Sequence, residues 1–379
     1  MRRFAWLFDC VPIAGWKSAC RHRLEHPGAM GLALAVVLLF GPAPVRASVI
    51  TTGDVVPGGA AVQPDPWGVS GGRLKVGHHG VGTLSITEGG WVSTNNSFIG
   101  SAPDSSGTAT VTGDGSKWRA WVNLMIGSDG TGILNVDNGG LVENNDGFIG
   151  HDANPFGWDP WESIGTVTVT GVGSTWYNAR YLYIGRKGTG TLVVDSGGRV
   201  DSSQGDVGFE SHSEGTVTVT GAGSIWVNNE SPSDIQFYFY DSGAVETGDL
   251  SVGVSGTGTV NIENGGRVEN NKRAYLGANH DGNGTVTVTD SGSSWVNDDL
   301  LIVGHSGTGA LHVNNGGLVE NSTGSIGSQA NSNGTATVTG SGSSWVNDFN
   351  IFVGYSGTGT LHVEDGGSVS STHGYLGYN

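Results

Sequence analysis

Three sets of side chains in this 379-residue chain could do chemistry. The first is acidic: Asp137, Asp195, Glu263 and Glu364 recur at equivalent positions near a Gly-Gly turn, and paired carboxylates hydrolyse glycosidic bonds when held about 5 to 9.5 Å apart. Thr87 and Asn314 interrupt that column, and Asp or Asn ahead of Gly is common for conformational reasons, so these positions read as turn residues. The second set is His78, His79, His305, His312 and His362, none of which has a partner at a fixed ligand spacing. The G-T-G-T and D-G-N-G-T stretches do not match the nine-residue G-G-x-G-x-D repeat of calcium-binding β-rolls, and H-E-x-x-H, G-x-S-x-G and phosphate-loop patterns do not occur after residue 47. The expectation is therefore no catalytic residue, no cofactor and no metal.

The third set is aromatic and lies in two stretches unlike the rest of the chain. One, near 151–163, carries Phe156, Trp158 and Trp161; the other, near 229–247, carries Phe237, Tyr238, Phe239 and Tyr240. Loops on a rigid scaffold often carry recognition, and exposed rings suit sugars or protein partners. These seven residues are the candidate ligand contacts, with packing back onto the scaffold as the alternative reading.

The scaffold is legible as a repeat. V-T-G-D-G-S-K-W, V-T-G-V-G-S-T-W, V-T-G-A-G-S-I-W, V-T-D-S-G-S-S-W and V-T-G-S-G-S-S-W end at Trp118, Trp176, Trp226, Trp295 and Trp345. Their separations of 58, 50, 69 and 50 residues define a 50-residue unit with two insertions. Hydrophobe-Gly pairs, such as those ending at Gly77, Gly100, Gly127 and Gly150, divide each unit into a short and a long half. Each half holds three strand-like runs bounded by Gly, Asn, Asp and Ser, the pattern of one coil of a parallel β-helix. Aliphatic pairs from Leu84/Ile86 and Ala109/Val111 to Leu361/Val363 would point inward and stack along the axis. The tryptophans would fill alternate coils where the short halves carry Val142, Val200 or Val268. Asn178, Asn228, Asn297 and Asn347, two residues beyond a tryptophan, read as a turn ladder of stacked amides. The fold expected is all-β: a right-handed, single-stranded parallel β-helix (β-solenoid) of about twelve coils over 71–379, preceded by a linker or cap at 48–70.

Composition agrees. Glycine supplies 68 residues and charged residues only 13%, which excludes a coiled coil or an ordinary helical enzyme. Met30 to Phe40 is an uncharged apolar run with basic residues before it and Val45-Arg46-Ala47 after it, which reads as a signal peptide over 1–47. About eleven apolar residues are too few to span a bilayer core, which needs roughly 20. Cys10 and Cys20 both lie in that leader, so disulfides and thiolate chemistry are not expected after cleavage. The formal charge of −17 becomes more negative without the basic leader, which argues against nucleic-acid binding.

The 50-residue unit, for example the 284–321 stretch with its G-S-S-W-V-N and G-T-G-A-L-H-V-N-N-G-G patterns, resembles the repeat family associated with type V secretion autotransporters and PEP-CTERM exported proteins. That resemblance covers roughly 71–379. It implies a β-helical passenger on a bacterial surface or outer membrane, often adhesin-like, and supplies no catalytic residue. Surface glycans and host or matrix proteins are the partners it implies, with membrane contact only through a separate translocator. A polysaccharide lyase or glycoside hydrolase on the same scaffold is the competing expectation.

Overall fold

The computed structural model describes residues 9–13, 16–21, 47–69, 71–151, 163–229 and 249–378. The seven insertion aromatics and the apolar run Met30 to Phe40 lie outside the described residues. Two units are distinguished, Met1–Pro44 and Val45–Asn379. In the first, Asp9–Ile13 pairs antiparallel with Trp16–Arg21. The second is a parallel β-solenoid with three walls, and no helix occurs among the described residues.

The first wall may be named for its threonines. Seven-residue strands from Val81–Thr87 through Ser106–Thr112 and Thr131–Asp137 to Thr358–Glu364 stack in parallel, eleven in all, in unbroken register. Ala109 lies opposite Leu84 and Val111 opposite Ile86. Alternation of buried and half-buried residues runs through these strands, because apolar residues two apart share one face. Fully burying each such Val, Leu or Ile contributes about 1.5–3 kcal/mol. The last pair departs from the expectation: Leu361 is only partly buried and Val363 is 46% exposed, because a neighbouring coil packs against only one side of their strand. At the other end Ser48–Gly53 runs antiparallel along Val81–Thr87, and this pairing covers an edge that would otherwise present free backbone groups.

The tryptophan wall runs from Trp67–Gly68 and Trp91–Thr94 to Ser368–Ser370, and the third wall from Arg73–Val76 to His373–Leu376. Both belong to one 21-stranded sheet, since strands such as Lys117–Ile126 and Ser294–Val303 continue through the corner between them. Each of these two walls has twelve strands, one more than the threonine wall. A glycine turns the corner after the third wall. Gly127 has φ 66°, and a Cβ there would stand 2.2 Å from the Ile164 carbonyl oxygen of the next coil, so the corner needs both the left-handed backbone and the missing side chain.

The two-coil period has a packing cause. Trp118, Trp176, Trp226, Trp295 and Trp345 are all fully buried, and each lies between valines of the short coils, as Trp176 does between Val142 and Val200. Trp67 occupies the same column opposite Val92. On the third wall the alternation reverses in kind: Leu124, Leu182 and Leu301 of the tryptophan coils are opposite Gly147, Gly205 and Gly324 of the short coils. A Cβ on Gly205 would come within 2.5 Å of Trp226 Cζ2. Large indole and missing side chain therefore interlock between coils, which keeps a narrow core filled without voids.

Candidate functional site

The repeated motif residues are accounted for by structure before any chemistry is needed. The serine of G-S-x-W is buried, and its hydroxyl accepts the N–H of the first Gly of the Gly-Gly turn one coil earlier: Ser174 from Gly139 at 3.1 Å, Ser224 from Gly197 at 3.0 Å, Ser343 from Gly316 at 2.9 Å. The residues before those glycines, including Asn138, Asn264 and Asn315, have φ near 50°, followed by a positive-φ glycine, as a tight turn of primed type demands.

The asparagines two beyond each tryptophan do hydrogen-bond along the axis, but not to one another. Asn178, Asn228, Asn297 and Asn347 are buried, and each bonds to a residue of the short coil before it rather than to another of the set. Trp176 Nε1 donates to Asn144 Oδ1 at 2.7 Å, and Asn144 Nδ2 donates to Asn178 Oδ1 at 2.7 Å. The pattern recurs as Trp345, Asn321 and Asn347, as Trp295, Asn270 and Asn297, and with Ser202 in the middle place between Trp226 and Asn228. A buried indole N–H calls for an acceptor, and the short-coil Asn or Ser supplies it for Trp176, Trp226, Trp295 and Trp345. Sequence reasoning missed those middle residues, although the N of V-E-N stands where the N of W-V-N does.

The outward acidic column is interleaved. Asp137 is opposite Thr170, which is opposite Asp195; Thr220 separates Asp195 from Glu263. Asp137, Asp195 and Glu263 are successively two strands apart, about 10 Å at the usual strand spacing, Glu364 is four strands beyond Glu263, and neighbouring coils place Thr, not a second acid, beside each. His78 is half-buried and contacts Lys75 and Ser101, and Asp54 accepts the backbone N–H groups of 78, 79 and 80, an arrangement that pins the first corner. His305 Nδ1 lies 2.9 Å from the Ala278 carbonyl. Among the described residues no group of three His, Cys, Asp or Glu could hold a metal ion.

The third wall carries what the sequence reading overlooked: an outward row of aromatic residues immediately before the hydrophobe-Gly corner. Phe148 and Tyr183 stack with centroids 5.2 Å apart, Tyr181 stacks on Tyr183 at 5.6 Å, and Phe209 meets Tyr183 edge-on at 5.0 Å. His151 stacks on Phe148 at 5.0 Å. Cations attend the rings: the Arg186 guanidinium lies 5.3 Å from the Phe148 centroid and 5.4 Å from that of Tyr183, and Arg180 lies 5.1 Å from Tyr181. The signal was in the sequence, as F-I-G at 148–150 and Y-I-G at 183–185.

Burial here perturbs titration. His151 falls to about 4, chiefly because burial disfavours its cation and secondly because Arg186 and Lys187 are near. Asp206, opposite Tyr183, is pushed up to about 7 by burial, against the opposing hydrogen bonds of Gln204 and Ser251. Burial also raises Asp146, against the hydrogen bond from the Tyr181 N–H and the attraction of Arg180, and raises the Tyr183 hydroxyl. The site is thus a partly dry strip of rings and cations, with two acids, Asp146 and Asp206, whose charged form burial disfavours.

No protein family and no curated protein matches the chain. Among solved structures it is similar to the crystal structure of a TibC-catalysed hyper-glycosylated TibA fragment, at 17% identity and a TM-score of 0.31, over 82% of this chain and 94% of that fragment. The β-solenoid assignment rests on the strand pairings themselves.

Proposed function

We propose that the chain is an exported bacterial surface passenger, a rigid β-helical support that acts in adhesion or cell-envelope contact and catalyses no reaction. The observation that carries this reading is the use of the repeated motif residues for coil stacking, from the G-S-x-W serines to the partners of four of the five motif indoles. What is left for function is the outer wall surface and the insertions. The leader with its apolar run and Val45-Arg46-Ala47, and the repeat resemblance to autotransporter and PEP-CTERM proteins, support export. Surface glycans and host or matrix proteins are the partners proposed. The test is expression of the whole chain in a Gram-negative host, with protease accessibility on intact cells and attachment to glycan-coated and matrix-coated surfaces as readouts. Retention inside the cell, or exposure without any attachment, would remove the reading.

The polysaccharide lyase or glycosidase alternative would need two catalytic groups facing one cleft. Interleaving of Asp137, Thr170 and Asp195 opposes it. Release of new reducing ends or unsaturated sugars from acidic polysaccharide by the purified chain would establish it instead.

A further inference from the structure

Cations are scarce in this protein, and three of them meet on one coil. Of the 17 Lys and Arg, only 11 follow residue 47, and Arg180, Arg186 and Lys187 lie within eight residues of one another around Tyr181 and Tyr183. Four of the other basic side chains are tightly engaged: Lys117 and Arg119 meet Glu143 at 2.8 and 2.5 Å, Arg199 meets Asp201 at 2.5 Å, and Arg267 meets Glu269. Here they are not. Arg180 stands 4.0 Å from Asp146, and Arg186 and Lys187 stand 3.8 and 3.9 Å from Glu210, beyond hydrogen-bond reach.

A second observation concerns the same coil. Arg186 Nε is buried with no hydrogen-bond partner, so the guanidinium is not engaged through it by the protein's own acceptors. Yet the Arg180, Arg186 and Lys187 side chains retain 22%, 32% and 30% exposure, so a small anion can reach them. Phe148 and Tyr183 fix the Arg186 guanidinium in place from below, which lowers the cost of ordering it on binding.

We infer that this patch binds a carboxylate-bearing pyranose, such as a uronate unit of an acidic surface polysaccharide, with Arg186 and Lys187 engaging the carboxylate and Tyr181 receiving the sugar ring. Planar guanidinium matches carboxylate geometry, and an aromatic ring beside it suits the apolar C–H face of a sugar. The acids facing the patch are Asp146, Asp206 and Glu210; burial raises Asp146 and Asp206, which reduces the negative charge an anion would meet. This inference rests on the surface-passenger reading and adds to it a ligand class and a site.

The test is isothermal titration of the full chain with trigalacturonate, and with galactotriose as the neutral probe. Saturable trigalacturonate binding is expected, at least tenfold tighter than galactotriose, weakened severalfold between 50 and 300 mM NaCl as charge screening requires. R186Q and Y181A should each lower affinity about tenfold, and K187Q, a substitution in a partly exposed turn, should do so by several fold with unchanged circular dichroism. No saturable binding, equal affinity for galactotriose, or unchanged affinity in K187Q and in folded R186Q would overturn the inference. Surface attachment measured in parallel separates the two levels: attachment kept without uronate binding removes this site alone, and loss of both removes the passenger reading as well.

Discussion

Trp345 Nε1 donates to Asn321 Oδ1 at 2.6 Å, and the same amide passes a hydrogen bond on to Asn347 Oδ1 at 2.8 Å. One side chain from a short coil thereby satisfies an indole and an amide of the following coil, all three buried. N321L should therefore strand two polar groups at once and destabilise the protein by about 2–6 kcal/mol, from roughly 1–3 kcal/mol for each buried group left unpaired. In a W345F background the cost of N321L should fall by about half, since the indole N–H is no longer present. Denaturant unfolding of the four proteins of that cycle measures the coupling. Equal costs in both backgrounds would mean that the bond contributes nothing.

The glycines of the third wall give a second prediction. A Cβ on Gly324 would stand 2.4 Å from Asn347 Oδ1 and 2.9 Å from Trp345 Cζ2, so G324A should overpack the core at a cost of about 1–3 kcal/mol. G324A combined with W345V should recover part of the loss, because the ring that opposes the methyl is gone. Hydrogen exchange along the tryptophan wall would locate the effect, and protection unchanged around 321–347 in G324A would count against the interlock.

These two relationships mark the limit of what was legible from residues alone. The threonine wall was readable because period-two alternation is explicit in runs such as T-V-T-V-T, and ten of its eleven aliphatic pairs are buried. Alternation of Trp with Val was readable because G-S-x-W frames each indole. The partner alternation, Leu182 against Gly205, was hidden because a glycine in a glycine-rich chain reads as a turn, whereas Gly205 sits in mid-strand and is needed for its absent side chain. Trp67 escaped for the opposite reason: it lacks the G-S-x-W frame, yet pairs opposite Val92 in the same column. The row of rings was missed because its members come from different coils. Phe148, Tyr183 and Phe209 are brought together only by stacking.

Two buried groups on that strip should make stability respond to pH in opposite directions. Asp206 has a folded pKa of about 7 against an ordinary value of 3.8. The folded state then holds more protons than the unfolded one between those values, so this residue lowers stability as pH rises from 4 to 7. His151, lowered to about 4 from 6.5, is held neutral in the folded state and lowers stability as pH falls from 6.5 to 4. In the native protein the slopes oppose each other. D206N should leave a stability that climbs with pH between 4 and 6.5, and H151N one that falls over 4 to 7. Thermal denaturation at half-unit pH steps would show it, and parallel profiles for the two variants would refute the assignment.

Trp118 is the exception among the five motif tryptophans, and it makes the indole rule testable in the stabilising direction. Its Nε1 is buried without a hydrogen-bond partner. The position that should serve it, two residues beyond Val92 as Asn144 is two beyond Val142, is Thr94, whose hydroxyl instead pairs with Ser97 at 2.6 Å. Thr94 is itself buried, and its hydroxyl is too short to reach as Asn144 does. In an A120N background, which supplies the asparagine that the other tryptophan coils carry two beyond the indole, T94N should place an amide where the other short coils have one, accept the Trp118 indole N–H and stabilise the protein by about 1 kcal/mol, the usual net worth of a buried hydrogen bond. The same substitution in W118F should yield no gain, because the donor has been removed. A loss of stability in T94N, or an equal gain with and without the Trp118 indole, would show that the first tryptophan coil follows a different packing rule from the others.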